Sequence, residues 1–445
     1  MMYNFWHTVS GPTAKAAFDK MGALQLLTLI AFIAEFSGAS HEVLKEKNSW
    51  TEMRYAYPTV EDEQEAKKSG ELVPEYIVPT GISVWTQENT SEKWVFLSIP
   101  RRQKTGIPAT LGYYLSNDLS DSPKIVPYPS FEQNNISSCD NLISVNRGHR
   151  IDKFGRLWVL DYGKIGKGSD AEQICPPRVH IFDLKTKGKI IMYTLKSTDF
   201  FPTSIFTSIV VTCGDTSDDC YVFMADQIGI IVVSLQQLDS WRFDHPYCWP
   251  DPVYGDYKMD GLNFQWSKAG VFGLALSPAN SDGFKTLYFH ALSSVREFSV
   301  STEILQNKSK VNDNYYHDFK ILGSRKHYGR VTTQVMTRNS GVLFFNLIDK
   351  HGVACWNSHT DYDEDNFAIV TKDKKKLTFP SDIIVDGDEQ VWVLSSPLHK
   401  YLAGEIDYSD TNFRVFSESV DNLIADTPCD PSFISSPKLI SYFKN

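Results

Sequence analysis

Gly155–Gly163, GRLWVLDYG, is a short apolar run closed by an aspartate and bracketed by glycines. Alone it reads as one buried strand. It has near-copies, EKWVFLS at Glu92–Ser98 and EQVWVLSS at Glu389–Ser396, and a returning string asks for a repeated architecture. Related apolar cores surround Val222 (CYVFMAD), Tyr288 (TLYFHAL) and Phe344 (VLFFNLI). From Trp94 through Trp158, Val222, Tyr288 and Phe344 to Trp392 the intervals are 64, 64, 66, 56 and 48 residues.

Each anchor is preceded by a β-rich run and a turn of Asp, Gly, Asn or Ser. SVNRGHRIDKFG leads into Trp158, VTTQVMTRNSG into Phe344 and SDIIVDGDE into Trp392. Turn residues between two β-rich runs make a hairpin. Further strands follow, as in Arg178–Leu195 and Gly229–Gln237. Six such units predict an all-β, six-bladed β-propeller that forms one domain over residues 40–445. Helical periodicity is confined to Glu61–Gly70.

The chain has 445 residues, 42% of them hydrophobic, which is enough apolar material for a large core. Its net charge is −10, and its densest basic run, Lys372–Lys376, is short and interrupted by Asp373. Nucleic acid is not an expected partner. Met21–Ser40 carries an apolar stretch preceded by Lys15 and Lys20 and followed by small residues, the pattern of a secretory signal peptide. Residues 1–39 are therefore assigned to an N-terminal extension and signal, with Met21 as the start and cleavage near Ala39. No membrane span is expected, and the protein is expected to be secreted. Sequons at Asn89, Asn135 and Asn307 suit a secreted glycoprotein.

Seven cysteines in an oxidising compartment leave at least one unpaired or intermolecular. Order along the chain suggests the disulfides Cys139–Cys175, Cys213–Cys220 and Cys355–Cys429, with Cys248 left over. No zinc-ligand spacing occurs, and neither a metal nor a cofactor is expected.

In a propeller the innermost strands line a central channel that takes ligands at its mouth. Those strands are expected near Gly81–Ser83, Leu142–Val145, Ser204–Ser208, Phe272–Ala275, Val331–Gln334 and Phe379–Asp382. Their polar members are Ser144, Thr207, Ser208, Thr332, Gln334 and Ser381, with Asp382 the acidic exception and Phe272 and Phe379 as aromatic walls. Such a lining suits a small, amphipathic, cationic aromatic ligand such as an aromatic amine. His149 reads equally as an exposed hairpin residue, His290 as a core histidine, and Asp161 as a tether for a loop backbone. The chain contains no GxSxG, HExxH or glycine-rich phosphate loop.

Longer strings carry a resemblance. VPTGISVW, VFLSIPRRQKTGIPATLGYY, SCDNLISV, GRLWVLDYG, CPPRVHIFDLKT, GVFGLALSP, ACWNS and LTFPSDIIVD resemble the insect Yellow and major royal jelly protein family, from Ser49 to Pro431. The resemblance implies a secreted six-bladed propeller acting in pigmentation, in dopachrome conversion, in amine binding or in storage. The amine-binding relatives imply a site at Asn357, Thr378 and Phe379, which joins Asp382, Phe272 and Gln334 as the candidate ligand set. The family usually carries a cysteine beside GRLW, paired near Cys220. Phe154 stands there in this chain, so Cys220 needs another partner, either Cys213 or Cys248. Dopachrome conversion would need a base over the substrate, either Asp382 or a channel histidine. A structural or storage protein would need only a packed channel.

Overall fold

All six anchor residues lie on the second strand of a four-stranded antiparallel sheet in the computed structural model, which describes residues 44–88, 90–266 and 269–434. The proposed signal segment and the sequon at Asn89 lie outside the described residues.

The echo of GRLWVLDYG has an atomic cause. In the turn before Trp158, Asp152 accepts the backbone N–H of Phe154 and Arg156 and, at 2.7 Å, the indole N–H of Trp158. Before Trp392, Asp386 accepts the N–H of Asp388 and Gln390 and, at 2.9 Å, the indole of Trp392. The aspartate caps its own turn and then satisfies a buried donor six residues on. Burying each of these large side chains contributes about 2–3 kcal/mol once its N–H is paired.

The sheets are six blades, with their innermost strands at Gly81–Thr86, Val145–Ile151, Phe206–Cys213, Val271–Leu276, Val331–Met336 and Pro380–Val385. Neighbouring inner strands touch around the ring, and blade six touches blade one. The last sheet draws its outermost strand, Lys45–Trp50, from the start of the described chain, where it pairs with Phe413–Ser419. This closure removes the free edges that an open array of sheets would expose.

Three disulfides fasten the loops: Cys139–Cys175 beside blade two, Cys213–Cys220 across the hairpin of blade three, and Cys355–Cys429 between blade five and the C-terminal segment. Cys248 is free and buried. Among the described residues no helix is long and apolar enough to cross a membrane. The helix over Val60–Ser69 starts at a capping box of Thr59 and Asp62 and stops at Gly70, whose φ of 79° needs a glycine.

Two expectations shift. The inner strand of blade two begins at Val145 instead of spanning Leu142–Val145, because the Asp161 carboxylate takes the N–H of Ile143 at 2.8 Å and of Ser144 at 2.9 Å. Asp161 also receives Gly163 N–H and an Arg178 Nη2, so it tethers the loop backbone. His149 is fully buried, because it packs against Gly81, where a Cβ would stand only 3.0 Å from its ring. Burial, then the neighbouring charge of Arg150, holds its pKa at about 3.

Candidate functional site

Five of the six inner strands begin with an irregularity in pairing, between Val145 and His149, Phe206 and Ser208, Val271 and Gly273, Val331 and Gln334, and Pro380 and Asp382. A bulge frees its residue from the ladder and re-aims it. Here the freed residues stitch neighbouring blades together. Asn146 donates to Phe206 O at 3.2 Å, Thr207 to Val271 O at 2.8 Å, Thr332 to Pro380 O at 2.7 Å and Ser381 to Thr80 O at 2.7 Å. Thr80 Oγ1 meets Asn146 Oδ1 at 2.9 Å and completes the run from blade one to blade two.

One junction differs. At the equivalent place in blade four stands Phe272, which has no hydrogen to donate. Its half-buried ring lies under the guanidinium of Arg147, 4.7 Å away. Arg147 comes from blade two, is 1% exposed, and donates its Nε to Ser381 O of blade six at 2.7 Å. One side chain thus spans the axis between three blades. Burial, then the charges of Arg102 and Arg150, pushes its pKa down to about 9, so it stays charged at neutral pH. Its Nη2 is buried without a hydrogen-bond partner.

Toward the end of the channel where the inner hairpins turn, Asp382 is fully buried and already committed. It accepts Ile82 N–H at 2.9 Å and both terminal nitrogens of Arg150 at 3.1 and 3.3 Å. Below it opens a cavity of about 260 Å³ lined by Arg150, Trp85, Lys153, Arg338, Asp386 and Asp388, among others.

The opposite, loop end is capped by a hairpin, Asp256–Met259 with Leu262–Gln265. Its turn is Asp260–Gly261, both with positive φ (50° and 83°), the conformation that Asp-Gly turns favour. The Asp260 carboxylate takes His399 Nε2 at 2.9 Å. Beneath the hairpin Tyr257 stacks on Trp266 with centroids 4.6 Å apart, Trp266 meets Phe379 edge-on at 6.4 Å, and Phe379 stacks on His399 at 5.7 Å. Phe272 packs against the large apolar core of which Tyr257 and Phe379 are members. Arg102 reaches this end, where the phenols of Tyr162 and Tyr401 face its charge, and its Nη1 has no partner. The neighbouring Arg101 holds the loop rigid, with hydrogen bonds to five carbonyls, among them Ile107 O at 2.9 Å and Pro108 O at 3.0 Å.

The six sequence-derived ligand residues separate. Phe379 lies in the aromatic cluster at the loop end, Phe272 lies under Arg147 against the wider apolar core, and Asp382 lies deeper on the axis in its pair with Arg150. Gln334 turns between blades four and five, where its amide donates to Glu297 at 2.7 Å inside a network with His290 and Arg325. Thr378 sits on the outer face of the loop end in a separate 160 Å³ depression with Asp260 and Lys400. Asn357 lies outside the channel at the far end of a third strand, where its amide braces Cys429 O at 3.1 Å and the turn at His359. Sequence reasoning missed Arg147, Arg102, Trp266 and the capping hairpin. The last had a signal in KMDGLN, an Asp-Gly between alternating residues. Asp152, Cys213 and Cys220 also gather closely, but the two sulfurs are bonded to each other and Arg156 lies against them, which is not a cation-ligating set.

The family described as major royal jelly protein matches residues 143–429. The chain is 38% identical over 425 residues to Protein yellow of Drosophila erecta, which covers 93% of this chain and 76% of that protein. It is 39% identical to Protein yellow of Drosophila yakuba over the same shares. Protein yellow of Drosophila subobscura is 37% identical over 436 residues, 95% of this chain and 75% of that one.

Proposed function

The chain belongs to the Yellow and major royal jelly protein family, and from that membership we propose that it is a secreted, pigmentation-related propeller that binds a catechol-type melanin precursor at the loop end of its channel. The observation that carries this reading is Phe272. Where the neighbouring blades are stitched by a hydroxyl or an amide, this position places an aromatic ring against the apolar core that includes Phe379, which Trp266 meets edge-on. A planar ring is the ligand such walls suit, since offset or edge-on aromatic pairs contribute about 0.5–1.5 kcal/mol beyond their burial.

Secretion is supported by the three disulfides and by the exposure of the sequon residues Asn135 and Asn307. Each holds its side-chain oxygen in a local turn, and each is open to a glycan. For ligand binding, the test is calorimetric titration of the secreted protein with 4-methylcatechol, an uncharged ring. Saturable binding that weakens several-fold in Phe379→Ala is expected. Heats equal to dilution would remove the reading.

A further inference from the structure

The charges along the channel do not balance. Arg102 and Arg150 both act on Arg147, and Asp382 is the carboxylate that faces Arg147. Its oxygens are filled by Arg150, Ile82 N–H and its neighbour Ile383 N–H. Nearby carboxylates are spent elsewhere: Asp260 on His399, and Glu297 on Arg325, His290 and Gln334. Among the described residues neither Arg147 nor Arg102 forms an ion pair. Each keeps a buried terminal nitrogen without an acceptor.

A buried guanidinium with an unfilled donor is costly. The role of a structural plug accounts for only part of Arg147: its Nε is used on Ser381 O and its face on Phe272, but Nη2 is not used. An acceptor that carries negative charge would fill it, and guanidinium matches carboxylate in both charge and geometry. An ammonium at the same place would meet two positive charges and no free oxygen anion.

We infer that the loop end of the channel is an anion site, and that Arg147 and Arg102 select a carboxylate-bearing catechol over the corresponding amine. This rests on the catechol reading above and adds the ligand's charge to it. The aromatic cluster takes the ring, and the two guanidinium groups take the carboxylate. The overall charge of −10 makes the local excess of positive charge more telling, since nothing in the bulk composition requires it.

The test uses three probes with one ring, titrated into the disulfide-intact protein in low-chloride buffer: 3,4-dihydroxyphenylacetate, 4-methylcatechol and dopamine. The acid is expected to bind at least tenfold more tightly than 4-methylcatechol, and dopamine most weakly. In Arg147→Gln the ratio of acid to methylcatechol affinity should fall to about one. Arg102→Gln, on the loop side and outside the inner strands, should lower the same ratio and serves if the first variant does not fold. A merely structural arginine would change stability and leave that ratio alone. Dopamine binding as tightly as the acid, or an acid preference that survives both substitutions, would overturn the inference while 4-methylcatechol binding kept the catechol reading. If none of the three binds, both fall.

Discussion

The two ends of the channel handle charge in opposite ways. At the hairpin end, the carboxylates that line the cavity are all engaged. Asp152 is held by Arg156 and Trp158, Asp386 by Lys93 and Trp392, Asp388 by Lys93 and Thr86, and Glu88 by Lys185. At the loop end, Arg102 and Arg147 each keep a donor unfilled beside an aromatic cluster. Groups of the first kind hold the fold together, because breaking them leaves buried charge unpaired. Groups of the second kind keep a terminal donor that the fold does not use, and that donor is free to recognise something else.

Substitution should separate the two ends. The largest effect is expected at Asp386, whose removal takes one of the two carboxylates on Lys93 and leaves the Trp392 indole and the turn N–H groups of Asp388 and Gln390 without their acceptor. Asp386→Ala should lose about 3 kcal/mol in chemical denaturation, with catechol affinity in the surviving folded fraction unchanged. Acid should act next. Burial holds His149 and His180 at about 3, well below the usual histidine value near 6.5. Between those values the unfolded chain takes up protons that the folded chain refuses, so stability falls as pH drops from about 6.5 toward 3. The loss should reach about 1 kcal/mol per histidine by about pH 5.8, read as a denaturation midpoint that falls across that window. A flat profile over that range would contradict the assignment of both rings as neutral. The smallest effect is expected in the ring of inter-blade bonds. Ser381→Ala removes one hydroxyl from Thr80 O and should cost about 1 kcal/mol, again without changing affinity.

Much of the first kind of structure was legible in the sequence. The pitch of the anchors gives the blades, and the aspartate six residues before Trp158 and Trp392 is visible in both strings. Asp161 reads as a tether and acts as one. The site was less legible. Arg147 and His149 lie in SVNRGHRID, which looks like one arm of a hairpin, and only the break in pairing between Val145 and His149 turns Arg147 onto the axis. Bulges have no residue signature of their own, so the direction of a side chain beyond one was not readable. Asn357 lies away from the channel for a related reason. Strand position fixes distance from the axis, and a third strand is two ladders away from the channel. Phe272 was readable as an aromatic wall, but that it stands where other blades are stitched was not.

Phe272→Thr bears most directly on the claim that the odd junction is the binding wall, since it gives blade four the residue that blades three and five already carry. Calorimetric titration of this variant with 4-methylcatechol should show a folded protein of near wild-type stability whose affinity is at least tenfold weaker. Undiminished binding by a folded Phe272→Thr protein would contradict the claim and move the ligand away from this end of the channel.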